Sequence, residues 1–161
     1  MSATTMSEMD TVGERLKEHR GVGVIPTNES RSLFYIQQKD EHYPTLKFRL
    51  GYSFFGGAIG GGETPVRALE RELDEELAEK PARLISEHLE KVGEFTVRFE
   101  EMSYPFTLYE AILSDAELRR IAASSVREGY GMLVERATVE NLLYIYGLGD
   151  VLREYVQREV R

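Results

Sequence analysis

The sequence contains no cysteine, which excludes a disulfide framework, a thiolate nucleophile and a thiolate metal site. It also lacks any apolar run near the roughly 18 residues at which a membrane-spanning helix becomes a candidate. The first ten residues do not have the basic-then-apolar order of a secretory signal peptide. From these absences we predict a cytoplasmic protein with no membrane partner.

Basic residues are scarce as well. The chain has 20 lysines and arginines against 28 aspartates and glutamates, which gives a formal net charge of −8. This charge argues against binding to a nucleic-acid polymer or an anionic membrane, because both need a basic surface. A small phosphorylated ligand remains compatible, since a bound divalent cation can reverse the local sign. We therefore expect a small-molecule phosphorylated substrate, and a homodimer is left open.

The length of 161 residues and the hydrophobic content of 42% fit one domain with a substantial core. No internal repeat or linker divides the chain, so we predict a flexible N-terminus over 1–10 and a single domain over 11–161. Strand and helix patterns are mixed and an early hairpin is expected, which indicates an α/β or α+β fold with a mixed sheet.

Alternating or β-branched apolar residues predict the strands, and 3.6-residue periodicity predicts the helices. The predicted strands cover 22–25 (ended by Pro26), 33–37, 46–50, 52–55, 95–99, 104–113 and 132–134. The predicted helices cover 11–20, 65–79 (closed by Pro81), 115–123, 138–146 and 150–160.

The stretch 56–62 holds five glycines in seven residues and leads into an acidic segment. Its glycine spacing is that of a phosphate-binding P-loop, but Glu63 stands where that motif needs a lysine. A carboxylate there would repel the phosphates that the lysine attracts. The P-loop interpretation is therefore rejected, and any phosphate bound here must arrive with a cation.

The acidic segment begins as a well-capped helix, with Thr64 as the cap and Pro65 at the first helical position. Its apolar face, expected to pack against the sheet, consists of Val66, Leu69, Leu73 and Leu77. The neighbouring face, expected to be exposed, carries Glu72, Glu75, Glu76 and Glu79.

Three of these glutamates, Glu72, Glu75 and Glu76, are neighbours at i, i+3 and i+4 with no lysine between them. Like charges at this spacing destabilise a helix, and a hard divalent cation that prefers oxygen ligands would relieve the repulsion. Helix geometry alone leaves two interpretations open, a metal site and a solvated acidic face.

The same stretch resembles the Nudix box, G-x5-E-x7-R-E-U-x-E-E-x-G-U, where U is aliphatic. Gly57 opens the pattern, Glu63 follows at the required spacing, and 71–76 supplies the R-E-U-x-E-E core. Two positions depart from it: Ala78 replaces the late glycine and Glu79 replaces the last aliphatic residue. Both lie beyond the acidic core, at the predicted end of the helix.

The resemblance implies an α/β/α sandwich and a hydrolase that cleaves the pyrophosphate bond of a nucleoside diphosphate linked to another group. It implies that Glu72, Glu75 and Glu76 are catalytic and bind Mg²⁺ or Mn²⁺. It also implies that Glu63 supports the site and that Arg71 pairs with a helix carboxylate and orients it.

The resemblance further implies that backbone at Gly57 and Gly62 approaches the metal and the phosphates. The family's general base comes from the box or from a downstream loop, where Glu128 is our candidate. The substrate class is left open between nucleoside triphosphates and nucleotide-sugars. Four aromatic side chains could stack on a base, although their residue type favours packing in the core instead: Tyr52, Phe54, Tyr104 and Tyr130.

Two other functions are considered. A non-catalytic Nudix-like module that binds a nucleotide as a regulator is the alternative, although such modules often lose box glutamates and this chain keeps all of them. An isoprenyl diphosphate isomerase on the related fold requires a cysteine, which this chain lacks.

Overall fold

The computed structural model describes residues 19–159, which form a mixed sheet of seven strands flanked by helices. The strands are β1 (Gly21–Thr27), β2 (Leu33–Gln38), β3 (Tyr52–Ser53), β4 (Phe55–Ala58), β5 (Leu89–Phe99), β6 (Met102–Ile112) and β7 (Tyr130–Glu135). The helices are α1 (Pro65–Glu76), α2 (Glu79–Ser86), α3 (Asp115–Ala123), α4 (Arg136–Val139) and α5 (Leu148–Glu159). The predicted flexible segment 1–10 and residues 11–18 of the first predicted helix lie outside the described residues.

Strand β1 is central to the sheet. The main path runs β3-β2-β1-β6-β5, with β4 also paired to β1 and β7 also paired to β2. The pairing of β1 with β6 is parallel, whereas every other pairing between these strands is antiparallel. The predicted mixed sheet and the early hairpin are thus confirmed.

Side chains of β1 alternate between two hydrophobic layers. Val22 and Val24 point to the layer formed with α1, α2 and α3, while Ile25 points to the layer formed with α5. Helices therefore cover both faces of the sheet, and the predicted α/β/α sandwich is confirmed. Within residues 19–159 there is no helix with the length and apolarity needed to cross a membrane.

Helix α1 begins as predicted, because the side chain of Thr64 accepts a hydrogen bond from the Arg67 N–H at 3.2 Å and Pro65 is the first helical residue. Leu69, Leu73 and Leu77 are fully buried against the sheet. The start of the acidic segment is thereby fixed both by its cap and by its apolar face.

The predicted end of the first strand at Pro26 is wrong, since β1 continues through Pro26 to Thr27. The pairing of β1 with its neighbours explains why the strand tolerates a proline at this position. On one side of β1, β4 pairs only as far as Val24 and β2 joins at Thr27, so Pro26 has its strand partner, Ala111 of β6, on the other side. A proline is accommodated where a strand is paired on one side only.

The predicted strand 46–50 is also wrong. Leu46–Phe48 is a 3₁₀ turn, and Leu46 is 73% exposed. Backbone hydrogen bonds such as Arg49 N–H to Leu46 O, at 3.2 Å, close the segment on itself, so it has no neighbouring strand. Phe48 alone packs inward, against the rings of Phe99 and Tyr146.

The prediction that the acidic helix continues to residue 79 and is closed by Pro81 is wrong. Helix α1 ends at Glu76, because Leu77 takes an extended conformation, with φ −120° and ψ 160°, and bridges to Val126. Pro81 instead lies in the first turn of α2, where a missing N–H costs nothing.

The predicted helix 138–146 does not form either. Only Arg136–Val139 is helical, and a 3₁₀ turn follows at Ile145–Gly147. Between them the chain runs beside β3, since Tyr52 N–H donates to Leu143 O at 2.9 Å and Tyr52 bridges to Tyr144. Backbone groups that a helix would use are therefore committed to the sheet edge.

Candidate active site

The first two glycines of the glycine-rich stretch belong to strand β4, so the loop predicted here begins later than expected. Gly56 has a φ of 144°, and a β-carbon there would lie 2.1 Å from the carbonyl oxygen of Val22, so only glycine fits. A β-carbon on Gly57 would lie 2.6 Å from the carboxylate of Glu72. Strand β4 thus passes directly beside the carboxylate of Glu72, the first of the three predicted metal ligands on α1.

Glu76, the last residue of α1, is only 1% exposed. Its Oε1 accepts from the Gly56 N–H at 2.8 Å and its Oε2 from Nε2 of Gln37 at 2.5 Å. Burial raises the pKa of Glu76 to about 8, against the opposing effect of the Lys39 ammonium and these donors. The expectation of an exposed Glu76 is wrong because it lies seven residues after buried Leu69, on the same face of the helix.

Glu72 is largely buried against β4, contrary to the exposure expected for it, whereas Glu75, three residues further along the helix, is much more exposed. Burial raises the pKa of Glu72, and the charges of Glu75 and Glu128 raise it further, whereas a hydrogen bond from Arg71 lowers it. Glu75 is about half exposed and also accepts from Arg71, at 3.3 Å. The neighbouring carboxylates therefore disfavour the charged form of Glu72, and the Arg71 guanidinium, which donates to Glu72 and Glu75, opposes this effect.

Arg71 also fastens the glycine-rich turn to the helix. Its Nε and Nη2 donate to the two carboxylate oxygens of Glu63, each at 2.9 Å, and Nη2 donates to Ala58 O at 3.1 Å. Glu63 accepts in addition from the Gly60 N–H at 2.7 Å. The hydrogen bonds from Arg71 and then Gly60 lower the pKa of Glu63 to about 2. Gly62, predicted to approach phosphate, lies in the exposed turn with a φ of 81°.

Glu128 lies in the loop between α3 and β7, and the end of α1 holds this loop in place. The N–H groups of Arg127 and Glu128 donate to Glu76 O at 2.8 and 3.3 Å. That carbonyl is free to accept because the helix ends there. The exposed carboxylate of Glu128 is close enough to raise the pKa values of Glu72 and Tyr43. The structure thus brings the predicted base beside the predicted metal ligands, and its role stays a prediction.

A cavity of about 330 Å³ opens beside β4. Gly56, Gly57 and Ala58 line it near the carboxylates, and its other walls include the aromatic side chains of Phe54, Tyr104, Phe106 and Tyr146. Two of the four aromatic residues proposed from the sequence, Phe54 and Tyr104, line this cavity, and both are also buried in the hydrophobic layer formed with α5. Tyr52 packs against the core and Tyr130 instead donates from its hydroxyl to Glu41 at 2.7 Å.

Sequence reasoning missed Gln37 and Lys39. Gln37 is fully buried on β2 beside Glu76, and Lys39 lines the cavity. A polar residue at an inward-facing position of a strand was the available signal, because a buried amide must find hydrogen-bond partners.

The amino-acid sequence matches the family profile described as NUDIX domain over residues 17–125. The chain belongs to the Nudix family. The match covers β1 to α3 and includes the whole acidic helix, so the Nudix box identified by spacing lies inside it. A search of curated proteins found no match.

Solved structures share the Nudix fold of this chain. The MutT protein from Methanosarcina mazei Go1 has a TM-score of 0.63 and 13% identity, over 89% of this chain and 96% of that chain. A MutT structure from work on the Aliivibrio salmonicida and Vibrio cholerae proteins has a TM-score of 0.57 and 21% identity, over 87% and 98%. NrtR from Shewanella oneidensis has a TM-score of 0.59 and 15% identity, over 86% of this chain and 62% of that chain.

The Nudix carboxylates offer the right donor chemistry for a hard cation but are not gathered around one point. Among residues 19–159, no three histidine, aspartate or glutamate side chains are arranged so that they could hold a metal ion. Glu72 and Glu75 share the Arg71 guanidinium, and Glu76 accepts from uncharged N–H groups. The match to Mg²⁺ or Mn²⁺ therefore lies in the donor chemistry, since all three carboxylates offer oxygen ligands and the charge of Glu75 disfavours the charged form of Glu72.

Proposed function

We propose that the protein is a metal-dependent pyrophosphohydrolase that cleaves a nucleoside diphosphate linked to another group, of the nucleoside triphosphate or nucleotide-sugar type. The observation that carries this proposal is the placement of the intact box carboxylates. Glu72 and Glu76 lie against the glycines of β4, and these glycines also line an aromatic cavity. A ligand in that cavity would present its phosphates to the acidic end of the site.

In the proposed reaction a water oxygen bonds to one phosphorus while the bridging P–O bond breaks. The leaving phosphate keeps the electron pair of that bond and takes up a proton. Mg²⁺ or Mn²⁺, held by Glu72, Glu75 and Glu76, would neutralise charge on the phosphate oxygens and acidify the attacking water. Glu128 is proposed to accept the proton of that water, because its backbone N–H donates to the Glu76 carbonyl and its exposed carboxylate is near enough to raise the pKa of Glu72.

Arg71 and Glu63 have a supporting role in this proposal. Their two-fold hydrogen bond holds the glycine-rich turn at a fixed distance from α1. Arg71 also contacts the carboxylates of Glu72 and Glu75, so a cation that binds there must compete with its guanidinium. We expect Arg71 to keep Glu63 and to give up Glu75 first, since that contact is the longest of its carboxylate contacts.

A phosphate-release screen with Mg²⁺ and Mn²⁺ over nucleotides, nucleotide-sugars and dinucleotides tests the proposal. We expect hydrolysis of at least one class, and we expect excess EDTA to stop it. Glu72→Gln should lower kcat by at least about 100-fold, because an amide cannot replace the charge of a metal ligand. Glu70→Gln, on the far side of α1, is the matched control and should retain activity.

A regulatory module that binds a nucleotide without hydrolysing it is the second candidate. The observations that favour it are the likeness to NrtR, which was also solved with a 27mer DNA, and the dispersed carboxylates among residues 19–159. Binding of a nucleotide with no turnover across the whole screen would support this candidate and overturn the hydrolase. Activity that persists in excess EDTA would contradict the metal-dependent reaction.

A further inference from the structure

The amide of Gln37 connects three parts of the site. Gln37 is fully buried, and its Nε2 donates to Glu76 Oε2 at 2.5 Å and to the backbone oxygen of Glu128 at 3.3 Å. Its Oε1 accepts from Nζ of Lys39 at 2.7 Å. Both amide hydrogens and the amide oxygen therefore have partners, and these partners come from α1, from the loop that carries Glu128 and from the cavity wall.

Lys39 determines which way round this amide lies. A lysine ammonium can only donate hydrogen bonds, so the oxygen of Gln37 must face Lys39 and the NH₂ group must face Glu76. The reverse orientation would set an oxygen against the Glu76 carboxylate. The backbone of Lys39 is itself fixed, because its N–H donates to Gly51 O at 2.8 Å.

We propose that Gln37 is a positioning residue for the reaction. Its amide fixes the Glu76 carboxylate relative to the loop that carries Glu128, and Lys39 sets the orientation of that amide. This inference rests on the proposed function. One oxygen of Glu76 is held by backbone at Gly56, and without Gln37 the second oxygen would have no donor among residues 19–159. Because Lys39 also lines the cavity, the same cation links the ligand pocket to the acidic end of the site.

Gln37→Met and Gln38→Met form a matched pair of test variants. Gln38 is the next residue of β2, but its amide donates to Leu50 O, away from Glu76. We expect Gln37→Met to weaken Mn²⁺ binding, measured by calorimetry without substrate, by about 10- to 100-fold. It should lower kcat by a similar factor with little change in KM, while Gln38→Met should stay within about twofold of wild type for both.

Two further variants separate positioning from packing. Lys39→Met leaves the core of β2 intact and should reduce Mn²⁺ affinity and kcat in the same direction as Gln37→Met. Lys39→Arg should restore both, because a guanidinium also donates to the Gln37 oxygen. Circular dichroism would show whether Gln37→Met folds. If it does not fold, the comparison of Lys39→Met with Lys39→Arg tests the inference by itself.

Wild-type Mn²⁺ affinity and kcat in folded Gln37→Met, or in Lys39→Met, would overturn this inference and leave the hydrolase standing. Equal losses in Gln37→Met and Gln38→Met would also overturn it, since they would mark a general effect on the strand. A wild-type protein that neither binds Mn²⁺ nor hydrolyses any member of the screen would overturn the proposed function together with this inference.

Discussion

Gly57→Ala tests whether the position of the Glu72 carboxylate controls turnover. The added methyl would lie 2.6 Å from the carboxylate carbon, where ordinary contacts begin at 3.4 Å. The carboxylate must therefore move by about 0.8 Å, the difference between these two distances. A misplacement of about 1 Å at a reacting centre can cost about 100-fold in rate, which corresponds to about 2.7 kcal/mol of barrier.

The same substitution should have little effect on folding. The atoms met by the new methyl belong to the flexible end of Glu72, and Gly57 does not have a positive φ. Replacing glycine with alanine at a compatible position stabilises a protein by about 0.4–1 kcal/mol, which offsets the cost of displacing the carboxylate. We therefore expect kcat to fall by about 100-fold while the free energy of unfolding changes by less than about 1 kcal/mol.

The assay combines steady-state kinetics on the best substrate of the screen with urea unfolding followed by circular dichroism. Gly61→Ala is the control, because a methyl at Gly61 would have nothing within 4 Å, and its kcat should stay near wild type. Wild-type kcat in a folded Gly57→Ala protein would refute the link between the Glu72 position and turnover. A large loss of stability in that variant would show that the strand, not the side chain, absorbs the clash.

Three other substitutions address the surroundings of the site. Glu110→Gln removes the buried charged partner of Arg31 and should lower the free energy of unfolding, measured in urea, by about 2–4 kcal/mol. An unchanged free energy of unfolding would show that this ion pair does not stabilise the fold. Because the pKa of Glu63 is lowered from 4.5 to about 2, its pairing with Arg71 stabilises the fold above pH 4.5 and is lost as the pH falls towards 2. The Tm of wild type should thus fall more steeply across that range than the Tm of Glu63→Gln, and parallel curves would contradict this. Glu76→Gln should reduce kcat, since an amide cannot replace the charge of a metal ligand. Because burial raises the pKa of Glu76 from 4.5 to about 8, the Tm of wild type should fall from pH 4.5 to pH 8 relative to the Tm of Glu76→Gln, and parallel curves would contradict the buried placement.

The acidic helix could be predicted because its signals are local. The cap at Thr64, the proline after it and the spacing of Leu69 and Leu73 are set within a few residues of one another, and all three are present in the structure. The box spacing adds a fixed order of charges along the same segment. Sequence reasoning failed where long-range contacts decide the conformation.

The segment 46–50 illustrates that limit. Its alternation of apolar and basic residues fits a strand, but a strand needs a partner and the neighbouring positions of the sheet are taken by β3 and β7, which pair with β2. The segment 138–146 fails for the converse reason, because its helical pattern is overridden by backbone pairing of Tyr144 and Leu143 with Tyr52. Neither partner can be read from the segment itself.

The chain departs from the Nudix box at the end of the acidic helix, at Ala78 and Glu79, next to the predicted metal ligand Glu76. Beyond Glu76 the chain takes an extended conformation at Leu77, and Ala78 serves as the cap of α2 with φ −64° and ψ 159°. These are angles that an alanine adopts without strain, so the glycine expected at this position is not needed for the turn. The early end leaves the Glu76 carbonyl open to the N–H groups of Arg127 and Glu128. The helix end thus holds the loop that carries Glu128 beside Glu76, and the departure at Ala78 does not disturb this arrangement.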